Sequence, residues 1–199
     1  MKRTLLAMAL SLGIMSSNAQ EIRTQEVTAD DYIQLLENMG YKVYSFDISQ
    51  IKDVKSYEPV IKHYKQGDKD GEFLIGGEFA WSVTGEQISN VKISFSPTEK
   101  GKEVDVRFDR TNGISMPLEF EGQTSPEGEV NYSCALRTFK QDGTMIDDFY
   151  PLALLGAYWY DPDSKVFRLC GTMELTSELK EDVMKYIPEY FIVGVRFKR

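Results

Sequence analysis

His63 is the only histidine in the chain and lies in a strand-like run, Val60-Ile61-Lys62-His63-Tyr64. One imidazole holds zinc only when thiolates or carboxylates converge on it, and neither an HExxH nor a CxxC spacing is present. There is also no GxSxG elbow to present a serine for which His63 would act as base. His63 therefore reads as a partly exposed strand residue. Asp68-Lys69-Asp70-Gly71-Glu72 resembles part of a calcium loop. Aligned on Gly71, however, the loop needs acids where Gln66 and Gly77 stand. The stretch reads as a hairpin turn, for which Asp and Gly are the usual residues.

Two further groups carry chemistry. Tyr158, Trp159 and Tyr160 lie together, with Trp81 on another strand. Exposed aromatic rings form platforms for sugars or proteins, whereas rings in mid-strand belong to cores, and the apolar neighbours Leu152, Leu154 and Leu155 favour the core. The cysteines are Cys134 and Cys170. An oxidising compartment would favour a disulfide between them. Against that, Cys134 shares the inward phase of Val130, Tyr132 and Leu136, and Cys170 falls on the phase opposite to Phe167, Leu169 and Met173. Side chains on opposite faces of one sheet do not bond easily, so the pairing stays open.

The elements that must position these residues are mostly strands. Phe73 to Val83 alternates apolar and polar residues, as do Val91-Ile93-Phe95, Val104-Val106-Phe108 and Ile114-Met116-Leu118-Phe120. Consecutive runs of this period predict an antiparallel meander with one wet face. The loop at Thr111-Asn112-Gly113 sets the expected register. A two-residue turn would put Val106 against Glu119, on the polar phase, whereas a three-residue bulged loop pairs Phe108 with Met116 and Val106 with Leu118. The bulged hairpin is the expectation. It opposes Asp105 to Glu119 and Glu103 to Glu121, so Glu103, Asp105, Glu119 and Glu121 become candidates for a cation or a basic partner, set against the plainer reading of a solvated charged face.

Tyr150 to Tyr160 is apolar on both phases and predicts a central strand covered on both faces, with a short helix as the alternative. Helices are expected at two places. Thr28 caps residues 29–39, where Tyr32, Leu35, Leu36 and Met39 form a one-sided stripe that should pack on a sheet edge or the open end of a sandwich, and Gly40 ends the run. Ser177 caps a short helix before the last strand, in which Phe191, Val193, Val195 and Phe197 alternate.

The first nineteen residues read as an export signal. Lys2 and Arg3 precede the apolar run Leu5 to Met15, and Ser17-Asn18-Ala19 supplies the small residues of a cleavage site after Ala19. The expected organisation is a signal over 1–19 and a single β-rich domain over 20–199. Beyond position 19 the chain has 21 basic and 31 acidic residues, a formal charge of −10. Such a balance argues against nucleic acid and anionic lipid as partners. No other apolar stretch approaches the ~20 residues of a membrane-spanning helix.

The short basic start, the Asn-Ala-Gln end of the signal and one β-rich domain together resemble exported proteins of unknown function common in Bacteroidetes. That resemblance implies no activity and no site residue. The expected fold is mainly β, all-β to α+β: an antiparallel sandwich with a short N-terminal helix and another before the last strand. The expected role is a non-catalytic binding or assembly module of the cell envelope, periplasmic or secreted, with a protein or carbohydrate partner and no cofactor. A small outer-membrane barrel is the alternative, followed by a secreted hydrolase.

Overall fold

The computed structural model of the chain describes residues 26–66, 73–83, 88–109, 113–169, 171, 173–180 and 182–199. The export signal, the turn at 68–72 and Cys170 lie outside the described residues. Helix α1 (Ala29–Asn38) comes first. It is followed by β1 (Lys42–Asp47), β2 (Ser56–Gln66), β3 (Phe73–Ala80), β4 (Asn90–Thr98), β5 (Gly101–Phe108) and β6 (Ile114–Glu119). Next are β7 (Gln123–Thr124), β8 (Val130–Asn131), β9 (Cys134–Phe139), β10 (Tyr150–Ala157), β11 (Trp159–Asp161), β12 (Val166–Arg168) and β13 (Glu174–Leu175). A single 3-10 turn, Asp182–Lys185, leads into β14 (Glu189–Lys198); this is the short helical element expected before the last strand.

The expected mainly β fold is what the structure has. One sheet runs β1-β4-β5-β6 and the other β13-β9-β10-β14-β2-β3, with β11–β12 and β7–β8 as separate ribbons. Neither large sheet closes on itself, so the barrel alternative is overturned. The inward phases predicted for the meander meet those of the second sheet. Val91, Ile93, Phe95, Val104, Val106 and Leu118 share one buried cluster with Ile61, Leu155, Val193 and Val195. On the outer face of the six-stranded sheet a second cluster joins Val60, Leu154, Ile192 and Phe149 to Val183, Met184 and Ile187 from the 3-10 segment. That cover explains why β10 is apolar on both phases, as its sequence predicts. It also places β14 centrally, between β10 and β2.

Two expectations need correction. The β5–β6 register pairs Val104 with Met116, Val106 with Ile114 and Asp105 with Ser115, a slip of four residues from the bulged hairpin. Slips by even numbers keep every side chain on its face, so hydrophobic phase cannot detect them. Gly101 fixes the observed pairing: it lies opposite Glu119, and a Cβ there would fall 2.1 Å from the Leu118 carbonyl oxygen. At the far end β5 stays with β4 to Phe108, opposite Val91, and Asp109 turns the chain away in a left-handed conformation, φ 46°. Its carboxylate accepts both the backbone N–H and the hydroxyl of Ser89, each at 2.9 Å.

The second correction concerns α1. Its start is as expected, with the Thr28 N–H and hydroxyl donating to Asp31 Oδ2 at 2.7 and 2.8 Å, and Gly40 ends it with φ 88°. Its stripe does not pack, because no residue of the helix is buried. Tyr32, Leu35, Leu36 and Met39 are each about half exposed. Replacing Leu35 and Leu36 together by serine is expected to leave the thermal midpoint within about 2 °C of the parent in calorimetry. A much larger fall would show that the stripe is covered.

Candidate functional site

Beyond β10 the chain folds back on itself as the β11–β12 ribbon, with Trp159 opposite Arg168 and Asp161 opposite Val166. Residues opposed in an antiparallel ladder share a face, so Trp159, Asp161 and Arg168 all project to one side. Arg168 reaches diagonally to form an ion pair with Asp161. The turn between the strands is held by the same carboxylate, which accepts the Ser164 hydroxyl and, at 3.1 Å, the Asp163 N–H. The Ser164 hydroxyl, with Arg168 adding its charge, holds the Asp161 carboxyl below the ordinary carboxylate range.

Opposite this ribbon stands the 3-10 segment. Its amide-bonded turn places Tyr186 against Trp159, rings stacked with centroids 5.5 Å apart and planes 23° from parallel. Between ribbon and turn lies a pocket of about 640 Å³, whose lining includes Trp159, Asp161, Asp163, Arg168, Asp182 and Tyr186. Trp159 is anchored by the second buried cluster, whereas Tyr186 is 57% exposed. The result is one firm ring, one accessible ring, three carboxylates and a guanidinium around a single concavity. Such a wall fits a ligand with an apolar face and hydroxyl edges: rings cover C–H groups while carboxylates accept and the guanidinium donates hydrogen bonds.

Of the four aromatic residues singled out from sequence, Trp159 and Tyr160 line this pocket, Tyr160 also meeting Phe167 edge-on at 5.3 Å. Trp81 packs on the inter-sheet core beside Phe79, and Tyr158 lines a separate depression with Cys134. Sequence reading missed Tyr186, Arg168, Asp163 and Asp182. The turn Asp161-Pro162-Asp163-Ser164 does signal a hairpin that would bring Arg168 to Trp159; nothing in the sequence links Trp159 to Tyr186.

The carboxylates Glu103, Asp105, Glu119 and Glu121 do not converge. Asp105 accepts from Arg107 Nε at 2.5 Å and from the Ser115 hydroxyl at 2.9 Å, so it is neutralised within its own face. Glu103 lies opposite Pro117 and Glu119 opposite Gly101. Glu121 is ion-paired with Lys65 across the gap between the sheets. Among the described residues no three His, Cys, Asp or Glu side chains are grouped to hold a metal.

His63 is partly exposed on β2, as its sequence suggests. It is not solitary: Nε2 lies 2.7 Å from Oε1 of the buried Glu189, and the ring stacks on Phe191 at 4.2 Å. Glu189 Oε2 accepts the Glu121 N–H at 3.1 Å. The contact is set by the β2–β14 pairing of His63 with Phe191, a separation that sequence spacing cannot reveal. Cys134 is a half-buried free thiol, and burial pushes it up to about 11. Its suggested partner Cys170 lies outside the described residues.

A family model described as a domain of unknown function (DUF5041) matches residues 12–199, and the chain belongs to that family. Neither the comparison with curated proteins nor that with solved structures found a match.

Proposed function

We propose, for a chain whose family carries no assigned activity, that it is an exported, non-catalytic binding module of the cell envelope that holds a carbohydrate in the Trp159–Tyr186 pocket. Export is supported by the signal pattern in residues 1–19. The carbohydrate reading rests on one observation: a stacked ring pair, one ring anchored and the other accessible, facing Asp163, Asp182 and the Asp161–Arg168 pair across one cavity. Sugars present an apolar C–H face and a hydroxyl rim, and this wall offers both complements.

The test is a glycan panel followed by titration calorimetry on the strongest binder. Tyr186→Ala removes only the accessible ring and is expected to weaken binding about three- to tenfold with the melting curve unchanged. Asp163→Asn should shift preference among sugars. A silent panel, or a bound glycan indifferent to Tyr186→Ala, would overturn the proposal.

A further inference from the structure

A second concavity opens at one end of the sandwich, between the two sheets, and encloses about 570 Å³. Its walls come from both sides: Phe46 and Ile51 from β1 and the loop after it, Leu152, Val195 and Phe197 from β10 and β14. These belong to, or pack on, the inter-sheet core, so the cavity is an open end of that core. A local irregularity makes the room. The β10–β14 register slips between Pro151 and Ala153, a β-bulge that leaves Leu152 as the extra, unpaired residue of the ladder. Gly194 permits it, since a Cβ there would stand 2.2 Å from the Tyr150 carbonyl oxygen.

The rim is polar and its charges are unequal in state. Asp47 is exposed and keeps its negative charge, its carboxylate accepting the Ser49 N–H at 2.8 Å. Gln141 is also fixed, its Nε2 donating to the Phe139 and Pro151 carbonyls at 2.7 and 3.3 Å. Lys140, exposed on the same rim, has no ion-pair partner within 4.0 Å among the described residues. The cavity is apolar and of ligand size, and its mouth carries the exposed Asp47 carboxylate and one cation, Lys140, which has no ion pair among the described residues although its charge also acts on Asp142; Lys140 is the cationic contact this mouth offers an anion. We infer that this end of the sandwich binds a small aliphatic monocarboxylate, chain inward against Phe46, Leu152 and Phe197 and carboxylate at Lys140. The site is separate from the Trp159–Tyr186 pocket and independent of what that pocket binds.

Decanoate and decanol serve as probes, titrated calorimetrically into the full chain. Decanoate is expected to bind, and Lys140→Gln to weaken it about three- to fivefold while leaving decanol unchanged. Filling the cavity from its edge with Ile51→Trp, or from the rim loop with Thr144→Trp, should weaken both probes at least about tenfold. Tyr186→Ala should affect neither, which separates this inference from the carbohydrate reading. Absence of decanoate binding, binding unaffected by both tryptophan variants, or equal losses for decanoate and decanol on Lys140→Gln would each overturn it.

Discussion

Gly194→Ala is expected to cost more than about 4 kcal/mol, enough to leave little or no folded protein, because stabilities of single domains run to only about 5–15 kcal/mol. The reason is local and severe. Gly194 lies opposite Pro151 in the central β10–β14 ladder, and an added methyl would fall 2.2 Å from the Tyr150 carbonyl oxygen and 2.6 Å from a ring carbon of Phe149. Neither neighbour can retreat. The carbonyl belongs to a strand flanked on both sides, and Phe149 is wholly buried in the second cluster. Gly128→Ala is the control: its φ of 89° strains an alanine, but a Cβ there meets nothing within 4 Å, so the cost should stay near about 1 kcal/mol. Guanidinium unfolding of the two variants checks both values. A Gly194→Ala protein melting within about 1 kcal/mol of the parent would show that β10 can move away from β14.

That glycine also marks the limit of what the sequence discloses. Period-two alternation correctly identifies which residues of β4, β5 and β6 face inward, because burial acts on each side chain separately and leaves a periodic trace. Register is different. The four-residue slip of β5 against β6 keeps Val104, Val106 and Met116 on the same face, so only a steric exception such as Gly101 decides it. The doubly apolar Tyr150–Ala157 run announces a covered strand, yet its cover, Val183, Met184 and Ile187, comes from a segment whose own pattern reads as an ordinary short helix. The α1 stripe shows the converse failure: Leu35 and Leu36 promise a buried contact, yet no residue of the helix is buried. For the candidate site, Trp159 is conspicuous in sequence and Tyr186 is not. A ring pair assembled from two distant segments exists only once the six-stranded sheet has placed both.

Arg196→Met should cost about 3 kcal/mol and make the protein more acid-sensitive. Arg196 on β14 lies directly opposite Glu58 on β2, donating to it from Nη1 at 3.2 Å, and its Nη2 donates to Glu78 at 2.8 Å and Asp148 at 2.9 Å. Glu58 is only 4% exposed. The Lys198 ammonium bonded to it outweighs the opposing effect of burial and, with the Ser82 hydroxyl and Arg196, brings its carboxyl down to about 2. A carboxyl whose folded value lies below its unfolded one stabilises fully above the unfolded value, near 4.5, and loses that contribution as pH falls toward about 2. Asp148 is depressed in the same sense, chiefly by Arg196. Removing the guanidinium raises both carboxyls toward their ordinary range and leaves Glu58 buried with fewer donors, so the stability lost between pH 5 and pH 2 begins at higher pH. The double variant Glu58→Met with Arg196→Met separates pairing from packing. Having no stranded charge, it is expected to recover about 1–2 kcal/mol over Arg196→Met alone and to show a flatter acid profile. Chemical denaturation between pH 7 and pH 3 measures both. A double variant less stable than the single one would mean that Glu58 acts through packing and Lys198 rather than through its pairing with Arg196.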